Sequence, residues 1–179
     1  DLDISEPGYG VSLLNNGKYG HAAHDNVLSM SLVRGPMYPD WLADEGSQTF
    51  TYSLYPHAGD WTDSDVVAEA AALNSPLIVA PANPETADGE GLVTVGGLEL
   101  GLGALKPAFD GNGLILRMYE PHGRRGITKL TFARPVSAVS RVDLLEDPLE
   151  GAAVSLSENG QTATIDLKPF EIVTLRITS

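Results

Sequence analysis

The chain has 179 residues, of which 42% are hydrophobic and 20% charged, a composition typical of a globular protein with a sizeable core. It contains no cysteine, which excludes disulfides, thiolate metal sites and cysteine nucleophiles and favours a cytoplasmic location. The formal net charge of −13 argues against nucleic acid and anionic membrane surfaces as partners, because phosphate binding needs clustered cations.

Alternating polar and apolar residues predict β-strands in the first part of the chain. In segment 27–34, VLSMSLVR, apolar residues alternate with serines and continue in register to Arg34. In the later segment TFTYSLY, the alternation points Phe50, Tyr52 and Leu54 toward a core. Strands with one apolar face are typical of antiparallel sheets.

One segment has a helical pattern instead. The sequence TDSDVVAEAAALN offers N-cap residues from Thr62 to Ser64, acids in the first turn and an alanine-rich body. It predicts a short helix over residues 64–73.

The chain is predicted to form two units. Residues 82–91 are rich in proline and glycine and lack periodicity, which predicts a linker and units over residues 1–86 and 87–179. The first 90 residues carry 14 acidic and two basic residues, whereas the remainder carry 10 and nine, so the two units differ in surface charge.

The sequence pattern of the second unit predicts a series of short strands separated by turns. Asn-Gly and Asp-Gly pairs in FDGNG and SENGQ mark tight turns that need positive φ. The predicted strands are 114–119, 127–132, 141–145, 162–167 and 170–177. Evenly spaced short strands predict an all-β protein built of antiparallel sandwiches, with one short helix.

Two histidine-containing motifs are weak candidates for a site. In GHAAHD, His21 and His24 have a spacing that suits metal ligands only on a helix, so a solvated hairpin connection is favoured over a metal site. In EPHGRRG, His122 lies beside two arginines, and the segment is interpreted as a solvated hairpin tip.

The stronger candidates lie between residues 34 and 57. Arg34 follows an apolar strand face and can offer a guanidinium to a hydroxyl or carboxylate, or pair with an acid at the sheet rim. Asp40 and Asp44 belong to an acidic loop, where carboxylates serve either glycoside hydrolysis or turn formation. His57 ends a strand on its polar face and can act as an acid or base or as a hydrogen-bonded structural residue.

The order of motifs resembles the C-terminal region of family 38 α-mannosidases. Residues 11–61 contain, in the family's order, Leu-Leu-Asn, Lys-Tyr-Gly, a strand ending in Arg, Pro-Asp, Asp-x-Gly and Phe-x-Tyr-x-Leu-x-Pro-His. The motifs ALKPAFDGNGLILRMYEPHG, VDLLE and LKPFEIVTLRI continue the resemblance to the end of the chain. Ser47 and Gln48 depart from it, since the family often has Glu-His there.

The resemblance implies the end of a large β-sandwich followed by a smaller one. It implies a retaining hydrolase of α-linked mannose whose zinc ion and Asp nucleophile lie in an N-terminal barrel outside this chain. Because the chain starts at Asp1 rather than Met, we expect it to be part of a longer protein. The family's His-x-His-x-Asp type motif, which belongs to that barrel, is absent from the chain, so we expect the chain alone to hydrolyse nothing. By position, Arg34 and Asp40, with Asp44 and His57 behind them, are expected to line the substrate site.

Two other interpretations are left open by the sequence. A carbohydrate-binding module would use aromatic side chains such as Tyr38, Trp41, Tyr55 and Trp61 to stack on sugars. An assembly domain would join copies into a homo-oligomer, and the sequence neither favours nor opposes this.

Overall fold

A computed structural model describes residues 2–79, 81, 91–151 and 153–179. The chain divides into two compact units, Asp1–Ala80 and Pro81–Ser179. The predicted boundary at 86–87 and residues 82–90 of the predicted linker lie outside the described residues. Antiparallel sheets dominate both units, which confirms the predicted all-β class.

The first unit contains a three-stranded antiparallel sheet, a separate hairpin and a short helix. Its strands are β1 (Leu2–Glu6), β2 (Tyr9–Asn15), β3 (His21–His24), β4 (Val27–Met30) and β5 (Tyr52–His57). The sheet order is β1-β2-β5, and β3 pairs with β4.

Helix α1, Val66–Asn74, confirms the predicted helix to within two residues at each end. A 3₁₀ turn at Trp61–Asp63 precedes it, and the Asp60 side chain caps this turn by accepting the Thr62 N–H at 2.9 Å. The Asn74 side chain donates to the backbone carbonyl of Asn15 at 3.0 Å and so ties α1 to the central strand β2.

The predicted inward face of β5 is wrong for this chain. Tyr52 and Leu54 are 58% and 64% exposed, whereas Tyr55 is half-buried and His57 is buried. The polar side chains of β5 lie on the same face of the sheet as those of β1 and β2, where His57 contacts Asp3. The β3–β4 hairpin contacts β1, at the opposite edge of the sheet from β5. Period-two alternation identifies the two faces of a strand but not which face is covered.

The second unit is a β-sandwich of two four-stranded sheets. Its strands are β6 (Val93–Gly97), β7 (Gly101–Pro107), β8 (Leu114–Tyr119), β9 (Gly126–Phe132), β10 (Ala138–Val142), β11 (Ser155–Leu156), β12 (Thr162–Leu167) and β13 (Ile172–Thr178). The sheet orders are β10-β13-β8-β7 and β11-β12-β9-β6.

The inward-facing residues of both sheets meet in one core. Leu116 and Met118 on β8 and Leu130 on β9 are almost fully buried there, with alternate residues of β12 and β13. The predicted strands 114–119 and 162–167 are confirmed to the residue. The positive φ of Gly111 and Gly160 confirms the predicted turns.

The predicted strand at 141–145 has the wrong bounds, because β10 spans Ala138–Val142 and ends three residues earlier. The Asp143 side chain accepts the N–H groups of Leu145 and Asp147 at 2.8 and 2.9 Å and so starts a turn. Leu144 and Leu145 are consequently exposed. A side chain that accepts hydrogen bonds from nearby backbone N–H groups competes with strand pairing. Here the Asp143 turn forms instead of a longer strand.

Buried Glu120 organises the end of the sandwich that was expected to be a solvated hairpin tip. Its carboxylate accepts the N–H groups of His122 at 2.9 Å and Phe170 at 3.0 Å, and His122 is itself buried, so the expectation is wrong for His122, whereas Arg124 and Arg125 are exposed. Burial opposes ionisation, but hydrogen bonds from the backbone N–H groups of Phe170, Arg124, His122 and Gly123 outweigh it and lower the pKa of Glu120.

Among the described residues, no helix is long and apolar enough to cross a membrane.

Truncation of a core leucine should measure how much the hydrophobic core of the second unit contributes to its stability. We expect Leu130→Ala to lower the free energy of unfolding by about 2–5 kcal/mol, because the fully buried side chain leaves a cavity. The matched control is Leu102→Ala, whose side chain is 65% exposed and should change it by less than about 0.5 kcal/mol. Urea unfolding followed by far-UV circular dichroism measures both. Equal losses in the two variants would show that this core does not stabilise the unit.

Candidate functional site

Arg34 lies in an exposed loop rather than at the end of a strand. Strand β4 stops at Met30, and the hairpin's next bond runs from Ser31 N–H to the Gly20 carbonyl at 2.7 Å. The predicted strand over 27–34 is therefore too long by four residues. Alternation alone does not extend a strand, because each further residue also needs a partner strand for its backbone groups. Leu32 and Val33 are 38% and 50% exposed.

Asp44 holds the backbone at Arg34 in place. One carboxylate oxygen, Oδ2, accepts the N–H groups of Arg34 at 3.1 Å and Gly35 at 2.7 Å. Gly35 has φ of 62°, a left-handed conformation that glycine adopts without strain. Asp44 thus closes the segment from Arg34 to Glu45 into a defined turn, which we call the Arg34–Glu45 loop.

The Arg34 guanidinium itself is available for a ligand. Arg34 is exposed, and within the part of the chain that the structure describes its side chain has no ion pair or hydrogen bond. A fixed backbone with a free guanidinium fork suits recognition of hydroxyl or carboxylate oxygens.

Asp40 shapes the same loop from its middle. Its Oδ1 accepts the N–H of Leu42 at 3.0 Å, an Asx turn, and its side chain is exposed. Tyr38 and Trp41 flank it with rings that are 88% and 76% exposed. The loop therefore presents a cation, a carboxylate and aromatic rings to solvent.

His57 lies in a buried polar cluster on β1, β2 and β5. Its Nε2 lies 2.8 Å from Asp3 Oδ1, and the His57 and Asp3 side chains are 3% and 14% exposed. Ser12 Oγ donates to the same Asp3 oxygen at 2.5 Å, and Ser5 Oγ donates to the other. We call Asp3, Ser5, Ser12 and His57 the Asp3 cluster.

The Asp3 cluster holds a charged carboxylate away from bulk solvent. Burial opposes ionisation, but the hydrogen bonds from Ser12, Ser5 and His57 outweigh it and lower the pKa of Asp3. Both serine hydroxyls donate to Asp3 rather than to His57, so the cluster does not have the hydrogen-bond order of a Ser-His-Asp nucleophile.

The close approach of His57 to β2 depends on a glycine. A Cβ placed on Gly10, which pairs with His57 in the sheet, would lie 2.2 Å from His57 Cε1. The Tyr55 ring stacks on the imidazole at 6.2 Å between centroids. The cluster is thus a packed structural unit.

The structure divides the four residues proposed from the sequence into two sets. Arg34, Asp40 and Asp44 share the Arg34–Glu45 loop, whereas the polar contacts of His57 are with Asp3. Sequence reasoning missed Asp3, which is 54 positions from His57. The sequence signal for Asp3 was an acidic residue between apolar Leu2 and Ile4. In the structure it pairs with buried Ser12 on the neighbouring strand.

The fold does not bring the two histidines of GHAAHD together on one face. His21 and His24 lie on strand β3, where positions three apart point to opposite faces. His21 Nε2 lies 3.1 Å from Asn15 Nδ2, and His24 lies beside Asp25. Across the described ranges, no group of three or more His, Asp or Glu residues is arranged to hold a metal ion.

Two family models match separate parts of the chain. Residues 2–41 match the glycosyl hydrolases family 38 C-terminal domain, and residues 100–175 match the glycosyl hydrolases family 38 C-terminal beta sandwich domain. Together the matches cover more than half of the chain.

Full-length relatives agree with these matches. The chain is 36% identical over 178 residues to human alpha-mannosidase 2C1, 31% over 182 residues to alpha-mannosidase G of Dictyostelium discoideum and 28% over 194 residues to the alpha-mannosidase of Saccharomyces cerevisiae. These alignments cover 97%, 99% and 98% of the chain. The chain spans only 17–18% of the length of these relatives.

Replacing the central carboxylate of the Asp3 cluster should make stability less dependent on pH. A pKa that is lowered by folding stabilises the fold above the unfolded-state pKa, near 3.8, and this contribution is lost as the pH falls through the folded-state pKa. We expect Asp3→Asn to cost about 1–3 kcal/mol at neutral pH and less in acid. Both tryptophans, Trp41 and Trp61, lie in the first unit, so their emission during urea unfolding reports on it.

The control for this experiment is Asp25→Asn. Asp25 is 81% exposed, and asparagine tolerates its left-handed backbone, so the free energy of unfolding should change by less than about 0.5 kcal/mol at any pH. A loss for Asp3→Asn that is no larger than the control's, or that stays constant into acid, would contradict the proposed role of the carboxylate.

Proposed function

The chain belongs to the C-terminal region of glycosyl hydrolase family 38, and on this premise we propose that it is the non-catalytic β-sandwich part of a longer retaining hydrolase of α-linked mannose. Three of its relatives are named alpha-mannosidases and are about six times as long. In this proposal the remainder of the longer protein supplies the catalytic barrel, and α-mannoside glycans are the substrates.

We assign the zinc ion and the Asp nucleophile of the reaction to that barrel. This assignment rests on the family resemblance. The described residues do not fit a zinc site, since no three potential ligands converge and cysteine is absent.

The exposed Arg34–Glu45 loop is the main support for a role of this chain in contacting the substrate. Asp44 fixes the backbone of Arg34 while the guanidinium stays free of protein partners among the described residues. A guanidinium on a backbone fixed in this way can donate paired hydrogen bonds to sugar hydroxyls with little loss of backbone entropy. We propose that Arg34 and Asp40 contact the glycan at the rim of the substrate site.

Asp44 and His57 have positioning roles in this proposal. Asp44 acts on the glycan through the backbone of Arg34. His57 acts through the Asp3 cluster, which holds β1 and β5 on the central strand. We also propose a cytoplasmic location for the longer protein, which the absence of cysteine supports.

A carbohydrate-binding module is the second candidate, and one observation favours it. Tyr38 and Trp41 present exposed rings in the same loop, as a stacking platform requires. Tyr55 and Trp61, the other two candidates for that platform, are half-buried, and Tyr55 is stacked on His57. The platform is therefore smaller than the sequence suggested.

The chain alone should not hydrolyse glycosides. We expect the purified 179-residue chain to release no 4-nitrophenol from 4-nitrophenyl α-mannoside, with or without added zinc, because it lacks the proposed barrel. The longer protein should release it under the same conditions. Zinc-dependent turnover by the chain alone would overturn the assignment of catalysis to the barrel.

Arg34 should matter for substrate binding in the longer protein. We expect Arg34→Ala to raise KM or lower kcat/KM about tenfold to hundredfold, the effect of losing charge-assisted hydrogen bonds of about 1.5–3 kcal/mol. Arg34→Lys keeps the charge without the fork and should fall in between. Steady-state kinetics with an α-mannoside measure all variants.

The matched control is Arg125→Ala, which removes an exposed arginine from the second unit. It should leave the kinetics unchanged. All variants should unfold at the same temperature as the unmodified protein. Identical kinetics for Arg34→Ala and the control would contradict a role of Arg34 at the substrate site.

A further inference from the structure

An open pocket lies in the first unit beside the β1–β2 turn. Its volume is about 560 Å³, within the range of about 300–1,000 Å³ that is typical of small-molecule sites. The residues that matter here are Ile4, Glu6, Tyr9, Val11, Asn26 and Leu28. Ser5 also lines the pocket and belongs to the Asp3 cluster, whereas these six residues lie outside both that cluster and the Arg34–Glu45 loop.

The register of β1 and β2 builds the pocket's floor. Ile4 pairs with Val11 and Glu6 pairs with Tyr9, so the four side chains share one face of the sheet. Ile4 and Val11 are half-buried, whereas Glu6 and Tyr9 are exposed. The floor is thus an aliphatic pair bordered by an aromatic ring and a carboxylate.

The β3–β4 hairpin supplies the opposite wall. Asp25 has φ of 51°, a left-handed residue that closes the turn of the hairpin, and Asn26 follows it with an exposed side chain. Leu28 is half-buried between exposed Val27 and Ser29, so it faces into the structure, and Asn26, in the turn before β4, lines the same pocket. The wall therefore combines an apolar side chain with an amide.

The lining suits a ligand that is flat and apolar on one face and rich in hydroxyl groups at its edge. A tyrosine ring that is 51% exposed can stack on the C–H face of a pyranose. The Glu6 carboxylate accepts from hydroxyl groups, and the Asn26 amide both donates and accepts. No cation belongs to the pocket lining named above, and the first 90 residues are strongly acidic, so anionic ligands are disfavoured.

We propose that this pocket is a binding subsite for neutral hexopyranosides, with Tyr9 as the stacking ring and Glu6 and Asn26 as the hydroxyl partners. The choice of α-mannosides as the first probes rests on the proposed function. Binding at the pocket does not require hydrolysis, so the binding assay and the activity assay can fail independently.

Amide NMR spectra of the isotopically labelled 179-residue chain test the proposal. Titration with methyl α-mannopyranoside and with mannobiose should give saturable shifts of the amides of Ile4, Tyr9, Val11 and Leu28. Tyr9→Ala should weaken binding about tenfold or more, and Tyr9→Phe, which keeps the ring, should weaken it less than about threefold. Glu6→Gln should weaken it by a similar factor to Tyr9→Ala.

The matched control is Tyr52→Ala. Tyr52 is 58% exposed on the same face of the same sheet but lies on β5, outside the pocket lining, so its loss should leave the affinity unchanged. Well-dispersed spectra of every variant verify that it folds.

Four outcomes would overturn the proposal. They are the absence of saturable shifts at the solubility limit of the sugars, equal effects of Tyr9→Ala and Tyr52→Ala, shifts confined to the Tyr38–Trp41 segment, and equal binding of glucuronate or of an aliphatic diol. The third outcome would favour the stacking platform of the Arg34–Glu45 loop. The last would identify a non-selective apolar cavity.

Discussion

A half-buried carboxylate, Asp3, determines how the three-stranded sheet of the first unit is put together. It accepts hydrogen bonds from its own strand through Ser5, from the central strand through Ser12 and from the far edge through His57. This half-buried charge keeps its three donors only while all three strands keep their register, because a one-residue slip would turn each donor to the other face. The same constraint requires Gly10, since any side chain there would displace the imidazole.

The second unit uses carboxylates in a related way, with backbone groups as donors. Glu120 accepts N–H groups from the turn that follows it and from Phe170, which has φ of 57°. Glu146, another residue with positive φ, accepts from Lys106 and from the Phe109 N–H at 2.7 Å. In both places a side chain satisfies backbone donors that a turn would otherwise leave unpaired, and this stabilises the turn.

The local sequence pattern was sufficient to predict strands whose apolar face is covered by the opposite sheet. The strands β8 and β12 follow from alternation because their neighbours in the sandwich cover the apolar face along its whole length. The same reasoning failed at Arg34 and on β5, where the outcome depends on whether another strand or layer is present. Family resemblance selected Arg34, Asp40, Asp44 and His57, but it could not separate loop residues from a buried cluster. That separation depends on Asp3, a contact across 54 positions that no local pattern encodes.

The division between a rigid cluster and an exposed loop bears on how a non-catalytic segment can assist a reaction. A side chain that contacts substrate from a mobile loop must be ordered when the substrate binds, and each ordered side chain or backbone segment weakens binding. Asp44 reduces the entropy lost on binding, because its carboxylate already orders the backbone at Arg34 and Gly35 when the chain folds. The guanidinium keeps its own rotamer freedom and its hydration until a ligand arrives. In the proposed role of the Arg34–Glu45 loop, such an arrangement lowers the entropic cost of binding, while the Asp3 cluster separately keeps the three-stranded sheet in register.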